Sequence, residues 1–246
     1  MSRRLAVVRV AGLLPYAQGL ARQASLAAQR ARDGVTDTLL LCEVRAPLRR
    51  VHAQIGRRDA CALTPAAPPL AAQHPPVFTV GKRSTTHNLL TPAGALAALG
   101  AEVHATERGG DATFHGPGQL LLYPVLALRP LGVGARAYVE GLEDVLCAVA
   151  ARHGVAARGR LPGAPGVWVD GQRKLAAVGV RISGGVTTHG AALNVRTRLD
   201  WFKHIVPCGL PDKASAPPPS LAQRSARTRR RAPRMLLYRM VTDLVA

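Results

Sequence analysis

The spacing of apolar and polar residues predicts strands and helices in alternation along the first part of the chain. The runs RLAVVRV, DTLLLCE and PVFTVGKR have the length and composition of strands. Between the first two, LPYAQGLARQASLAAQRARDG has the spacing of an amphipathic helix that closes at Gly34. Further on, TPAGALAALGA predicts a short helix with Pro92 near its start.

A longer helix is predicted over residues 136–154, RAYVEGLEDVLCAVAARHG. Apolar side chains recur there at helical spacing, at Tyr138, Leu142, Val145 and Val149. Gly154 follows as a C-terminal cap. Cys147 lies within this helix, where a small thiol in the core is a better interpretation than a reactive one.

A three-stranded meander is predicted over residues 166–195. Asp170-Gly171 is a strong hairpin turn between two apolar alternating runs, and Gly184-Gly185 is a plausible second turn. Helices precede and separate the strands without a strict strand–helix–strand repeat. The pattern therefore predicts an α+β fold with a mixed, partly antiparallel sheet and flanking helices.

Two segments lack any hydrophobic period. Residues 44–73 are rich in arginine and proline, and we expect a disordered insertion there. Residues 211–246 form a basic, proline-rich tail that includes RSARTRRRAPR, residues 224–234. We expect residues 1–210 to form a single domain around the insertion.

The net charge of +19 by itself suggests a nucleic-acid-binding protein, but the rest of the composition does not support this interpretation. The positive charge comes mainly from arginine, and alanine, glycine and proline are abundant too, a joint skew typical of GC-rich coding sequence. Aromatic residues make up only 4% of the chain, whereas nucleic-acid-binding proteins usually combine basic residues with aromatic ones. We therefore expect no nucleic-acid partner, although a basic surface favours acidic protein partners.

The four cysteines show no C-x-x-C spacing, so we expect no zinc site and an intracellular chain with reduced thiols. No apolar run approaches the roughly 20 residues of a membrane span, and we expect no membrane partner. The first 32 residues contain six arginines and no acidic residue. They fit either a mitochondrial transit peptide or the first strand and helix of the domain.

The stretch ERGGDATFHGPGQ has the glycine and proline pattern of a loop that holds a ligand, yet it contains no cysteine, serine or lysine. Its Asp111 is open to a plain interpretation, a loop residue that bonds its own backbone. His115 here and His189 further on fit equally well as structural histidines and as neighbours of a reactive group.

Cys208 is the best candidate nucleophile, because it lies between Pro207 and Gly209 in a loop. A thiol attacks as the thiolate and needs a cation or a base nearby. Lys174, one of four lysines, begins a strand directly after a hairpin, from where its ammonium could reach a loop across the sheet. The alternative interpretation of Lys174 is an exposed strand end.

Three motifs in the same order resemble the lipoyl(octanoyl) transferase family, the octanoyl-[acyl carrier protein]–protein N-octanoyltransferases: RGGDATFHGPGQ, KLAAVGVRISGGVTTHGAALNV and WFKHIVPCGL. LPYAQGLARQ and HPPVFTVGKR resemble its N-terminal elements. The resemblance covers most of residues 5–43 and 74–210. The chain departs from the family pattern at residues 44–73 and after Leu210.

The resemblance implies the fold shared with biotin and lipoate protein ligases and the transfer of an octanoyl group through an acyl-enzyme. The family's nucleophile falls on Cys208, and the lysine that lowers the pKa of the cysteine falls on Lys174. The family's acyl pocket falls on a larger set: Arg108, Gly109, Gly110, Asp111, Ala112, Thr113, Phe114, His115, Ala177, Val178, Gly179, Gly190, Ala191 and Ala192.

The implied partners are octanoyl-acyl carrier protein as donor, and as acceptors the lipoyl domains of 2-oxoacid dehydrogenase complexes and the glycine cleavage H protein. The resemblance implies no cofactor or metal, and we expect a monomer. DWFKHIVPCGL most resembles animal mitochondrial members of the family, which implies a mitochondrial location, with a bacterial cytoplasm as the alternative. The alternatives are an ATP-dependent lipoate or biotin ligase, an inactive isoform, and a basic nucleic-acid-binding protein.

Overall fold

Two β-sheets organise the part of the chain that the computed structural model describes, residues 5–10, 14–33, 36–42, 76–83, 88–195 and 197–206. The larger sheet has six strands in the order β1-β2-β6-β9-β8-β7. The smaller has three, in the order β4-β3-β5. The predicted insertion at 44–73 and the tail at 211–246 lie outside the described residues.

The strands of the larger sheet are β1 (Leu5–Val10), β2 (Asp37–Cys42), β6 (Gln119–Val125), β7 (Val167–Val169), β8 (Arg173–Ser183) and β9 (Val186–Asn194). β1 and β2 are parallel, and the other neighbouring pairs are antiparallel. The smaller sheet contains β3 (Val77–Val80), β4 (Glu102–Ala105) and β5 (Thr113–His115), with β4 parallel and β5 antiparallel to β3. Both sheets are therefore mixed.

The helices are α1 (Tyr16–Asp33), α2 (Ala93–Ala98), α3 (Leu128–Leu131) and α4 (Ala135–Arg152), with a 3₁₀ helix at Leu199–His204. α1 provides the crossover that two parallel strands require. α4 packs an apolar face on the larger sheet, so that Tyr138, Leu142, Val145 and Val149 are buried there with Leu175 and Leu193.

A separate cluster fills the space between the smaller sheet and the 3₁₀ helix. Phe78, Phe114 and Phe202 are buried in it, and the ring of Phe114 stacks on Trp201 with 5.5 Å between centroids. Burial of aromatic side chains provides a large share of core energy in a small sheet. This cluster fixes β5, and with it one edge of the loop that precedes β5.

The predicted α+β class, long helices and antiparallel meander are confirmed. Asp170 and Gly171 form the β7–β8 turn with positive φ at both positions, and Gly184 and Gly185 form the β8–β9 turn in the same way. Leu5–Val10 and Tyr16–Asp33 form β1 and α1, in agreement with the interpretation of these residues as a strand and a helix of the domain. Among the described residues, no helix combines the length and apolarity needed to span a membrane.

Candidate active site

A cavity of about 230 Å³ lies between the segment 108–115 and strands β8 and β9. The resemblance predicted fourteen residues for an acyl pocket, and twelve of them line this cavity: Arg108, Gly110, Asp111, Ala112, Thr113, His115, Ala177, Val178, Gly179, Gly190, Ala191 and Ala192. Segments far apart in sequence thus meet around one space. Gly109 and Phe114 do not line it, and Phe114 packs instead in the aromatic cluster.

Small residues on two paired strands form one wall of the cavity, which we name the acyl slot. Residues 177–179 of β8 pair with residues 190–192 of β9 in reverse order. A Cβ at Gly179 would lie 2.9 Å from the carbonyl oxygen of Gly109. A Cβ at Gly190 would overlap the carbonyl oxygen of Leu122. Glycine is therefore needed at both positions for the backbones to approach this closely.

Arg108 anchors the loop above the slot. Its guanidinium is buried and donates to the carbonyl oxygen of Thr79 at 2.7 Å and to the Thr79 hydroxyl at 2.9 Å. The next residue, Gly109, donates its backbone N–H to the carbonyl oxygen of Val180 at 2.8 Å. Charged side chains are seldom buried unless they are paired, and here the charge fixes the loop between the two sheets.

A buried polar network joins this loop to the start of β8. His115 Nδ1 lies 2.9 Å from Gln119 Oε1, and Gln119 Nε2 donates to Asn194 Oδ1 at 3.0 Å. The amide of Asn194 in turn donates to the carbonyl oxygen of Lys174 at 3.5 Å. His115 thus has structural partners as well as a place on the cavity wall. This chain of hydrogen bonds connects the glycine-rich loop to β8, the strand that carries Lys174.

Lys174 is buried, so its interpretation as an exposed strand end is wrong. Its Nζ lies 4.4 Å from the ring centroid of Trp168, the residue opposite it on β7. The indole N–H of Trp168 donates to the carbonyl oxygen of Ala164 at 2.8 Å. An ammonium over an indole face is stabilised by the ring quadrupole, most strongly where water is excluded. Lys174 does not line the cavity itself.

His189 is a cavity residue that the sequence left undecided. It has φ of 58°, a left-handed conformation that side chains rarely adopt, and it is 6% exposed. Its backbone N–H donates to the side-chain oxygen of Gln23 on α1 at 2.7 Å. Burial, together with the positive charges of Arg108 and Arg181, lowers the pKa of His189 to about 4. The imidazole is therefore neutral at physiological pH.

The described cysteines are poor nucleophiles. Burial raises the pKa of the Cys42 thiol to about 12, against the opposing charge of Arg22. Burial also raises the pKa of Cys147. Neither residue lines the cavity. A raised pKa leaves almost no thiolate at neutral pH, so both behave as structural thiols, as predicted for Cys147.

Cys208 lies outside the described residues, but Val206, two residues before it in the sequence, is described and bonds to Asn88. The backbone N–H of Val206 donates to the carbonyl oxygen of Asn88 at 2.9 Å. The side-chain amide of Asn88 donates to Asp111 at 2.5 Å, and Asp111 also accepts from the backbone N–H of Ala112 at 2.6 Å. The prediction that Asp111 bonds its own backbone is confirmed. Asp111 also links the cavity to the segment that leads to Cys208.

Five further residues line the cavity that sequence reasoning did not select, namely Tyr16, Arg83, Tyr123, Gly163 and Pro165. Gly163 and Pro165 stand in LPGAPG, whose punctuation could have indicated a functional loop. Apart from the position of Tyr16 at the start of α1, no pattern in the sequence around it indicated a cavity residue. Within the described ranges, no group of three or more His, Cys, Asp or Glu side chains is placed to hold a metal ion.

Comparison with known proteins adds independent evidence. Residues 68–241 match the lipoyl protein ligase A/B catalytic domain. The chain is 55% identical to the mitochondrial octanoyltransferase LIP2 of Arabidopsis thaliana over 144 residues, 58% of this chain and 61% of that protein. It is 41% identical to an octanoyltransferase of Acidothermus cellulolyticus over 205 residues, 82% of this chain and 75% of that protein. The chain thus spans less than two thirds of the Arabidopsis relative.

Solved structures show the same fold at low identity. A lipoate-protein ligase A crystallised with ATP superposes with a TM-score of 0.60 at 16% identity, over all of this chain and 86% of that one. A bipartite lipoate protein ligase of Thermoplasma acidophilum, studied with its E2 lipoyl domain, superposes with a TM-score of 0.51 at 16% identity, over all of this chain and 84% of that one. The shared architecture is that of lipoate ligases.

Proposed function

Because the chain belongs to the lipoyl protein ligase A/B catalytic domain family, and two of its relatives are octanoyltransferases, we propose that it transfers octanoyl groups onto proteins. The donor is octanoyl-acyl carrier protein, and the acceptor is a lysine of a lipoyl domain. One observation carries the proposal most directly. Small residues from two paired strands and a glycine-rich loop enclose an acyl slot, and Val206, two residues before Cys208 in the sequence, bonds to Asn88, which contacts this loop at Asp111.

The chemistry that we propose proceeds in two balanced steps. The thiolate of Cys208 attacks the carbonyl carbon of the donor thioester, a new C–S bond forms, the donor's C–S bond breaks, and the carrier's thiolate leaves and takes up the proton that the Cys208 thiol gave up. The neutral amine of the acceptor lysine then attacks the acyl-enzyme, an amide bond forms, the C–S bond to Cys208 breaks, and the proton lost by the amine returns to the Cys208 thiolate. A thioester is already activated toward acyl transfer, so neither step requires ATP.

The described residues support Cys208 as nucleophile by their own chemistry. Cys42 and Cys147 have raised pKa values and lie away from the cavity. Val206, two residues before Cys208, is bonded to Asn88, whose side chain contacts the cavity residue Asp111. The covalent chain can span at most about 7 Å over two residues. We therefore propose that the Cys208 thiol acts at the slot, and we assign Lys174 the role of stabilising its thiolate.

The acceptor is proposed from chemistry and from the family. One structural neighbour, the ligase of Thermoplasma acidophilum, was studied with its E2 lipoyl domain. We extend this to the lipoyl domains of 2-oxoacid dehydrogenase complexes and to the glycine cleavage H protein. We also propose a mitochondrial location, because the Arabidopsis relative is mitochondrial. The bacterial relatives make a bacterial cytoplasm the alternative.

Intact mass spectrometry of the full chain with octanoyl-acyl carrier protein, without ATP, tests the proposal. We expect a mass increase of one octanoyl group that maps to Cys208 and disappears in Cys208→Ser. Cys42→Ser and Cys147→Ser are matched controls that should retain the adduct. A product that forms only with ATP and free octanoate would favour a lipoate ligase instead. An adduct that persists in Cys208→Ser would exclude this cysteine as nucleophile.

A further inference from the structure

The acyl slot has a direction that the strand register defines. Lys174 stands near the start of β8, the small residues 177–179 follow, and Val180 comes next, paired with His189 of β9. At a rise of about 3.3 Å per residue, the stretch from Ala177 to Val180 spans about 10 Å along the strand, and Lys174 lies beyond its Ala177 end. An acyl chain whose carbonyl lies at the Lys174 end therefore extends along the slot toward the Val180–His189 pair.

Contacts from other elements confirm this direction. At the Lys174 end, Asn194 and Gln119 connect to His115, whose ring stacks with that of Tyr16 at the start of α1. Two turns further along α1, Gln23 holds the backbone of His189. α1 thus runs beside the slot from one end to the other. Gly109 bonds to Val180 and covers the far end from above.

His189 combines an unusual backbone conformation with a place on the cavity wall. In a regular strand, neighbouring side chains point to opposite faces. The left-handed conformation of His189 interrupts this alternation. The backbone N–H of His189 in this conformation donates to the side-chain oxygen of Gln23 on α1. Such strain persists where the surroundings over-determine it, and it clusters at ligand sites.

The ring itself is buried, lines the cavity and finds no hydrogen-bond partner among the described residues. Its position is one register step beyond the last glycine pair, Gly179 and Gly190. A bulky side chain directly after a row of small ones limits how far a ligand can extend. We propose that His189 closes the tail end of the acyl slot and sets the maximum length of the acyl chain. This inference rests on the proposed function.

A role of His189 as general base fits the site less well. A base whose pKa lies near 4 is poorly matched to a thiol or to an amine at neutral pH. The position at the far end of the slot from Lys174 also separates the ring from the carbonyl. Both observations favour a steric role at the acyl tail.

The test compares acyl-carrier-protein thioesters of six to fourteen carbons as donors for the wild-type chain, His189→Gly and His189→Asn. Glycine and asparagine both tolerate a left-handed backbone, so either variant removes the ring with little added strain. We expect the wild type to lose activity sharply between octanoyl and longer chains. His189→Gly should raise the kcat/KM ratio of decanoyl to octanoyl about tenfold, the order expected when two more methylenes are buried.

His189→Asn, which retains a smaller polar side chain, should shift the ratio in the same direction by less. An equal fall for all chain lengths in a folded variant would show a catalytic role and overturn the proposal. Equal use of octanoyl and dodecanoyl donors by the wild type would overturn it even if neither variant folds. Absence of any acyl adduct on the wild-type chain would instead contradict the proposed function, so the two failures are distinguishable.

Discussion

At the scale of single residues, Lys174 places a basic nitrogen where almost no solvent reaches it. The side chain is 3% exposed, and the indole of Trp168 lies against its Nζ. Burial of a charge is costly unless other groups compensate, and an aromatic face is one such group. Trp168 is itself held by Ala164. A lysine fixed in this manner is suited to the thiol-activating role that we propose for Lys174.

We expect Lys174→Met to slow the alkylation of Cys208 by iodoacetamide at pH 7 by about tenfold or more, because loss of a nearby cation raises the pKa of a thiol. Methionine fills similar space without charge, so the fold should be retained. Raising the pH should restore much of the rate. Lys82→Met is a matched control, since Lys82 is exposed and pairs with Glu107. An unchanged alkylation rate in Lys174→Met would leave Lys174 with a structural role alone.

At the scale of elements, α4 holds the loop that leads into β7. Both carboxylate oxygens of Glu143 accept backbone N–H groups of this loop, from Arg160 and from Gly166, at 2.6 Å each. Gly159 lies against the Glu143 side chain, where a Cβ would come within 2.7 Å. The loop between carries the cavity residues Gly163 and Pro165. One buried carboxylate therefore positions part of the cavity wall.

Glu143→Ala should lower the free energy of unfolding by about 2–5 kcal/mol, because two buried N–H groups lose their acceptor. Urea denaturation measures this loss. Glu140→Ala on the same helix removes only solvent-exposed ion pairs with Arg136 and Arg160 and should change the free energy of unfolding much less. We also expect Glu143→Ala to raise KM for the acyl donor through a looser cavity wall. Equal destabilisation by both substitutions would contradict the assigned role of Glu143.

At the scale of the whole molecule, the buried His189 makes stability depend on pH. Its pKa of about 4 lies below the value near 6.5 of an exposed histidine, so the unfolded chain binds the proton more readily. Stability is therefore fully present above about pH 6.5 and falls as the pH decreases toward 4. The two groups that lower this pKa through their charges, Arg108 and Arg181, keep their charge throughout this range.

We expect the wild type to lose up to about 3 kcal/mol more than His189→Asn between pH 6.5 and pH 4. Urea denaturation of both proteins across this range measures the difference. Carboxylates and the other histidines titrate in both chains, so the comparison isolates His189. Parallel stability curves for the two proteins would show that the imidazole is not desolvated in the folded state.

The sequence by itself determined the elements whose signals are local. The apolar period of α4 and the Asp170-Gly171 and Gly184-Gly185 turns depend on residues close together in the chain. The resemblance of three motifs to a known family also indicated twelve of the residues that line the cavity. The predictions of helix and turns succeed because helical spacing and tight turns are set by the backbone within a few residues.

Tertiary structure alone decided the rest, because burial and register depend on segments distant in sequence. α1, β6 and the β8–β9 pair meet around the slot, and no local pattern in α1 shows that Gln23 will hold His189. Lys174 lies near the start of β8, a position where a lysine is commonly exposed. It is the pairing of β7 with β8 that places the Trp168 ring against its Nζ. Phe114 stands within a cavity motif yet packs in the aromatic cluster, since successive residues of β5 face opposite sides.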